Sequence, residues 1–570
     1  MESIANKDVV QTLEEIASLL DLAGESPFKS RAYANVARRI EQLDENVSVL
    51  AEEGRLREIK GIGDALEQKI TEYVSTGALQ YLETLRARFP ESLFDLFRIP
   101  GLGAKRVRTL YSELGIESLQ GLARACEDDT LSALKGFGPK MVEKIRQGIA
   151  FAKQHEGLHL YKAAANEAQR LKNLLSENPV VQQVDIAGSI RRHKEIIKDV
   201  DLVAASSDAA SVMEQFVNDA EVATVTGHGD TKSSVVLQSG IAVDLRVVSE
   251  DEYPYALLHF TGSKEHNVAL RQRAKERELK LNEYGLFHGS ERLDCADETA
   301  IYAALELPFI PPELREDMGE LELDATPELV EMDHLLGMIH CHTLYSDGRA
   351  TIEEMALATQ ERGYQYLTIT DHSQAAAYAG GLTPERVREQ HDEIDRVNKK
   401  LKNFRLLKGI ESDILSDGSL DYEEDLLATF DLVIASVHSK LDMTQAEATK
   451  RVVRAIENPY TTILAHPTSR LLLSRKGYPL DFDAVFEACA AHNVAIEINA
   501  NCRRLDLDWR LVRKAKERGL KFSIAPDAHS VEGLDDMIYG IGIARKGWLE
   551  PGDVLNTMTA DEFLAWRGTA

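Results

Sequence analysis

His340-Cys341-His342, with Asp347 just beyond, closes the first of seven short apolar runs in the C-terminal part of the chain. Five more runs end on residues of the same kind: Asp371-His372, Glu411, His438, His466 and Asp527-Ala528-His529. The sixth, Val494-Ala495-Ile496-Glu497-Ile498, ends at Asn499 and offers no evident ligand. Six of the sixteen histidines therefore stand at strand ends. Neutral imidazoles and hard carboxylates gathered this way can hold several divalent cations and split a phosphate ester. Helical stretches such as 353–363 and 384–402 separate the runs. Repeated strand–helix units predict a parallel sheet with helices outside. Chemistry at the C-terminal ends predicts a closed seven-stranded (β/α) barrel with its site on that rim. Cys341 alternates away from its neighbours and reads as core. Arg503 and Arg504 read equally as phosphate-side groups or surface ion pairs.

Upstream of the barrel the pattern changes. Val184–Ala187 and Val200–Val203 read as strands, and Ser234–Leu237 with Ile241–Val247 reads as a hairpin. Helices return near 267–280. Asp199 and Asp201 stand at i and i+2, so both face one way, and Asp244 shares a face with Arg246. Three converging carboxylates suit two Mg²⁺ ions, one activating an attacking hydroxyl and one steadying a leaving pyrophosphate. Gly188-Ser189, followed by Arg191 and Arg192, places Ser189 and Arg192 to hold a triphosphate. Residues 291–333 carry 14 acids against Arg292 and Arg315, with four prolines, a composition that suits an exposed linker.

The first 160 residues show helical periodicity and one internal repeat. Leu56-Arg57-Glu58-Ile59-Lys60-Gly61-Ile62-Gly63 recurs as Leu96-Phe97-Arg98-Ile99-Pro100-Gly101-Leu102-Gly103 and as Leu131-Ser132-Ala133-Leu134-Lys135-Gly136-Phe137-Gly138. Two glycines around one apolar residue let the backbone turn tightly between helices, and the second helix starts with bare amides that can hold a phosphate. Three copies, with Lys105, Arg106, Lys140 and Lys144 just downstream, favour sequence-independent DNA binding.

Net charge is −28, which by itself argues against nucleic acid. Its distribution weakens that argument. Residues 1–200 hold 28 basic and 30 acidic side chains, a net of −2, whereas 201–330 carry −16 and 331–570 carry −10. Five scattered cysteines with no CxxC pair argue against a disulfide framework or cysteine–zinc site. With no apolar span and no basic, apolar leader at Met1–Asn6, a cytoplasmic protein with no membrane partner is expected.

Gly188-Ser189, Asp199-x-Asp201, Asp244 and Phe260-Thr261-Gly262-Ser263 together resemble the family X DNA polymerases. With the helix-hairpin-helix repeats before them and the histidine-rich barrel after, nearly the whole chain resembles that family's bacterial branch. The barrel itself resembles the polymerase and histidinol phosphatase (PHP) domain. The resemblance implies further roles. His259, Phe260 and Gly262 lie near the incoming sugar, Asn267 and Arg271 near the minor groove, and Lys232 at the template or primer backbone. His259 replaces the family's usual aromatic, and Ala242 stands where some relatives carry Arg. Lys69 matches the lysine that forms a Schiff base with an abasic sugar, with Lys29 and Tyr33 as phosphate-side neighbours. Read from its residue type alone, Lys69 is equally a DNA-contacting surface lysine. The resemblance to the PHP domain also implies a full ligand set of His340, His342, Asp347, His372, Glu411, His438, His466, Asp527 and His529.

The expected organisation is multidomain. Residues 1–85 form an all-α, lyase-like DNA-binding domain and 86–155 a helix-hairpin-helix DNA-binding domain. An α+β nucleotidyltransferase palm spans 156–250, a nucleotide-selection subdomain 251–315, an acidic linker 316–333, and a PHP phosphoesterase barrel 334–570. The expected activity is template-directed gap filling in DNA repair by a monomer, using primed or gapped DNA, dNTPs and Mg²⁺. The barrel is expected to act as a 3′–5′ exonuclease and abasic-site endonuclease with up to three Mn²⁺ or Zn²⁺ ions. A phosphomonoesterase and a DNA-end scaffold with a silent polymerase half are the competing readings.

Overall fold

A computed structural model describes residues 6–568 apart from 42, 44, 45 and 100. Met1–Ala5 of the leader reading and Pro100 of the second repeat lie outside the described residues. The chain divides into two compact units, one ending at Glu156 and one starting at Gly157.

The first unit is helical throughout its described residues. Its repeats share one backbone geometry. Gly61, Gly101 and Gly136 have φ of 101°, 89° and 93°, which L side chains rarely adopt. Gly63, Gly103 and Gly138 are extended and cap the helices Asp64–Thr76, Ala104–Leu114 and Pro139–Gln154. Between them Ile62, Leu102 and Phe137 are buried. That is the reason for the glycine–apolar–glycine spelling: one residue turns, one anchors, one opens the helix. A single apolar core runs from Val9 to Ile149, so it crosses the border expected at residue 85.

In the second unit, a five-stranded sheet runs in the order Val181–Ile186, Asp199–Ser206, Ala242–Val248, Lys232–Leu237, Val222–His228. The last of these had no clear sequence signature. Alternation is strict on Ala242–Val248: Val243, Leu245 and Val247 enter the core, while Asp244 and Arg246 stay on the opposite face. A lobe of three helices (Tyr253–Thr261, Lys264–Glu276, Glu298–Ala304) and a three-stranded sheet (Leu279–Asn282, Gly285–His288, Glu291–Leu293) follows.

Seven parallel strands then pair in chain order: Gly337–Cys341, Tyr366–Ile369, Arg405–Asp413, Leu432–Ser436, Thr461–Leu464, Ala495–Asn499 and Phe522–Ala525. The first and last meet through a Cys341–Ala528 bridge and the His342 N–H donating to Ala528 O at 2.8 Å, so the barrel is nearly closed. Ile339, Tyr366, Leu407, Leu432, Ile434 and Ile463 form an inner apolar cluster capped by Leu555 and Phe563. Met338, Cys341, Leu367, Ile410 and Val433 face the outer helices, with Cys341 fully buried. One end of the barrel is thus plugged with hydrocarbon, and polar groups collect at the other.

The acidic stretch expected as an exposed linker is pinned instead. Glu320 is 1 % exposed and lies 2.6 Å from His266 Nδ1, and Leu329 and Val330 are buried. Glu298 joins Arg191 and the fully buried Arg315 at 2.6 Å each. Glu313 meets Arg545 at 2.7 Å, and Glu316 meets Lys546 at 2.6 Å. Composition suggested solvent because acids seldom bury alone; here every one named has a cationic or imidazole partner.

Candidate functional site

The barrel rim brings all nine expected ligands together. Glu411, 1 % exposed, is the hub. Its carboxylate lies 2.8 Å from His372 Nδ1, 3.0 Å from His466 Nε2, 3.2 Å from His438 Nε2, 3.5 Å from His340 Nε2 and 3.6 Å from His342 Nε2. Asp527 Oδ1 sits 3.2 Å from His342 and 3.4 Å from His340, and Asp347 sits 3.3 Å from His529. Three overlapping groups have ligand spacing: His342–Asp347–His372–His529, His340–His342–Asp527 and His372–Glu411–His438.

Whether cations fit is decided by orphaned atoms. His340 Nε2, both ring nitrogens of His342 and His466 Nδ1 are buried without a hydrogen-bond partner. Leaving that many polar atoms unmet is costly, and bound cations would satisfy them. Burial and the adjacent His529 and His372 push His342 down to about 3, so it stays a neutral donor. Burial also opposes charge on His438 and His529, but Glu411 and Asp413 raise the first to about 10, and Asp347 and Asp527 raise the second to about 9. Three of the expected ligands, His340, His466 and Asp527, have φ of 68°, 23° and 50°. Such strained backbone costs on the order of 1–3 kcal/mol per residue and persists where the surroundings fix it.

The outer contacts had no sequence signature. Glu497, inside the sixth strand, meets His340 Nδ1 at 2.5 Å and accepts from His466 N–H at 3.0 Å and Asn499 Nδ2 at 2.9 Å. Asn499 also donates to Asp527 at 3.1 Å. The strand that lacks a ligand therefore orients three of them. Asp413 backs His438 at 3.3 Å. Asp371 is no ligand; it accepts from Thr343 and Gln390 and holds the loop that carries Asp347. Arg504 lies 3.6 Å from Asp527, while Arg503 is exposed.

The palm site is built differently. Asp201 and Asp244 stand opposite each other on neighbouring strands, with Asp199 opposite Ala242. Gly188, at φ 59°, lies so close to Asp201 that a Cβ would sit 2.1 Å from Oδ2. Burial, then Asp199 and Asp244, raise Asp201 to about 7. Asp244 accepts from Ser234 Oγ at 2.6 Å and from Lys232 Nζ at 2.6 Å. Lys232, expected at the DNA backbone, is thus part of the acid cluster. An open cleft of about 470 Å³ is lined by Asp199, Asp201 and all eight residues expected around the nucleotide: Gly188, Ser189, Arg192, His259, Phe260, Gly262, Asn267 and Arg271. Lys264 lines it too and was not foreseen. Asn267 Nδ2 holds the His259 carbonyl at 2.7 Å, and Arg246 stacks 4.9 Å over Phe260.

In the first unit Lys69 and Lys29 flank the Tyr81 ring at 4.6 and 5.9 Å, and Tyr33 stacks on it at 6.2 Å. Tyr81 is the element the sequence did not reveal. Burial, then Tyr81, raises the Tyr33 phenol.

Together these elements define a polymerase-type palm and thumb joined to a metal-binding phosphoesterase barrel, behind tandem helix-hairpin-helix repeats. Sequence families agree. Residues 256–316 match the DNA polymerase beta thumb, 4–79 a helix-hairpin-helix domain, 93–150 a SAM-like helix-hairpin-helix tandem and 339–501 the PHP domain. The chain is 41 % identical over 565 residues, 98 % of its length and 99 % of the relative's, to the DNA polymerase/3′-5′ exonuclease PolX of Bacillus subtilis. It belongs to the PolX family. The barrel region alone is 29 % identical to a probable phosphatase of Thermoanaerobacter sp. and 30 % to one of Vibrio parahaemolyticus, covering 38 % and 40 % of this chain and 89 % and 93 % of theirs.

Proposed function

We propose that the chain is a DNA polymerase that fills short gaps during DNA repair, with a 3′–5′ exonuclease in its barrel. One observation carries this: a chain alignable with PolX over 98 % of its length has two separate sets of side chains that could hold cations, each gathered in space. The small phosphatases match only the barrel, which leaves the palm, thumb and repeats unexplained on a phosphomonoesterase reading.

In the palm, Gly188 lets the triphosphate loop close onto Asp201, and Ser189 and Arg192 face the cleft where the dNTP phosphates would lie. Asp199, Asp201 and Asp244 would hold two Mg²⁺, which supply Lewis-acid stabilisation of the phosphate charge. Lys232 holds Asp244 in place on the strand face. Phe260 and Gly262 border the sugar side, and Asn267, fixed on the His259 carbonyl, faces the new base pair with Arg271.

In the barrel, up to three Mn²⁺ or Zn²⁺ ions would suit the imidazole-rich groups, which have His342 and His372 in common. Glu497 and Asp413 set the orientation of His340 and His438. The repeats, presenting exposed Lys105, Arg106, Lys140 and Lys144, would grip the phosphate backbone of primed or gapped DNA without reading bases. Lys69, beside Lys29, Tyr33 and Tyr81, is the proposed abasic-sugar nucleophile. Borohydride should trap the wild-type chain on abasic DNA and should fail to trap Lys69→Ala.

No helix among the described residues is long and apolar enough to cross a membrane. The test of the whole reading is a primer–template assay with Mg²⁺ or Mn²⁺, with and without dNTPs. Extension with dNTPs and 3′ shortening without them are expected. Hydrolysis of phosphate monoesters with neither DNA activity would overturn it.

A further inference from the structure

Of the four consecutive residues 192–195 at the end of the triphosphate loop, Arg192, His193 and Glu195 touch the barrel directly, and Lys194 shares the Glu316 that a barrel lysine holds. Arg192 pairs through Nε with Glu316 at 3.0 Å, and its carbonyl accepts from Lys546 Nζ at 3.0 Å. Lys546, on the barrel helix Met537–Lys546, is 1 % exposed and bonds the same Glu316 oxygen at 2.6 Å. His193, at φ 52°, stacks on Tyr161 at 5.1 Å and packs so tightly on Gly542 that a Cβ there would sit 2.2 Å from its Nδ1. Lys194 reaches Glu316 at 3.3 Å. Glu195 accepts from Trp509 Nε1 at 3.0 Å and Arg510 at 2.8 Å, and the Trp509 ring lies 4.4 Å beneath Lys546. Arg192 meanwhile reaches the Thr261 carbonyl and lines the nucleotide cleft.

We propose that Lys546 is a positioning residue for nucleotide binding: through Glu316 it fixes Arg192, so that dNTP capture in the palm depends on the barrel. The proposal rests on the reading of Arg192 as a triphosphate contact. Three features favour positioning over mere adhesion. Glu316 is shared between a cleft residue and a barrel residue, with both side chains of the Arg192–Glu316 pair about nine-tenths buried (11 % and 8 % exposed). The guanidinium has its Nε committed to Glu316, which fixes the plane it presents. Lys546 also fixes the backbone of Arg192, so rotamer and main chain are set by one ammonium.

The test uses the full chain and gap-filling kinetics with its own metal supply. Lys546→Met keeps the apolar stem and removes the charge. It should raise the dNTP KM about tenfold, the scale of coupled charge partners, with kcat changed less than about twofold and 3′ shortening unchanged. Arg192→Ala should raise KM at least as much. In the double variant Lys546→Met should add nothing, because its effect passes through Arg192. Glu195→Gln, which loosens the same loop from Trp509, should raise KM by a smaller factor. An unchanged KM in Lys546→Met, or the same increment in the Arg192→Ala background, overturns the proposal. Joint loss of extension and 3′ shortening overturns it as well, since Lys546 would then be barrel support only. If Arg192→Ala itself leaves KM unchanged, the triphosphate reading of Arg192 fails, and the coupling with it.

Discussion

Palm and barrel both gather acids around room for cations, yet they solve the problem oppositely. The barrel buries its ligands: His340, His342, Glu411 and His466 are at most 1 % exposed, and strained backbone holds three ligands in place. The palm leaves Asp199, Asp201 and Asp244 only partly buried, the first two lining an open cleft and the third bonded to Lys232. A buried imidazole cluster is costly without cations and should keep them through turnover. An open carboxylate cleft can take its cations with each nucleotide and release them with pyrophosphate. The difference teaches that the two cation sites should respond independently to substitution of their own acids and imidazoles, to chelation and to pH.

The largest effect should come from splitting the sites. Asp244→Ala should lower primer extension by at least about 10³-fold and leave 3′ shortening intact; His342→Ala should do the reverse. Loss of both activities in each variant would show that the sites are inseparable. Next in size is Glu497→Gln, which removes the carboxylate behind His340 and His466. It should lower exonuclease rate or metal content about 10–100-fold, the usual cost of an outer-shell partner, with extension unchanged. Metal analysis after gel filtration separates a loss of binding from a loss of rate.

A third experiment sharpens the contrast through protons. Asp201 ionises near 7 because burial and two neighbouring acids disfavour its charge. Cations must compete with that proton, so the apparent Mg²⁺ affinity of the palm should fall about tenfold per pH unit below 7 and level off above it. Mg²⁺ titrations of extension between pH 6 and 8 measure this. In the barrel, His342 adds no slope because it is already neutral. His438 and His529, raised to about 10 and about 9, must shed protons to bind, so that site's slope should run on through pH 8 without levelling at 7.

What the sequence showed followed from where the signal sat. Candidate ligands at strand tips interrupt apolar runs and stand out, so all nine could be named, with Asp371 named beside them although Thr343 and Gln390 engage it; Asp199, Asp201 and Asp244 followed from alternation and register. Partners inside strands do not interrupt the pattern visibly: Glu497 sits in an apolar run as a single acid, and its role depends on His340 bulging at φ 68°. Strand Val222–His228 lacks a buried face, so alternation could not mark it. The acidic stretch misled because composition counts charges and not partners; Glu298, Glu316 and Glu320 find Arg315, Lys546 and His266 only through the fold. Tyr81 and Lys264 carry no motif and were visible only once helices had placed them.

The smallest effect tests whether the three repeats are equals. Their backbones match, but their first helical turns do not. Lys105 and Arg106 follow the second repeat, and Lys140 follows the third, with Lys144 one turn on. The first repeat is followed by Asp64 and Glu67, both engaged by Arg57 at 2.6 and 2.7 Å. A phosphate at that helix start would meet two carboxylates whose charge Arg57 offsets only partly. Each phosphate contact contributes about 0.9 to the slope of log affinity against log salt. Lys140→Ala with Lys144→Ala should therefore flatten that slope by about 2 and weaken binding equally across DNA sequences. Asp64→Asn is the sharper probe. If the first repeat faces DNA, removing the acid should tighten binding a few-fold at low salt. An unchanged affinity would mark that copy as a structural corner, despite a glycine geometry indistinguishable from the other two.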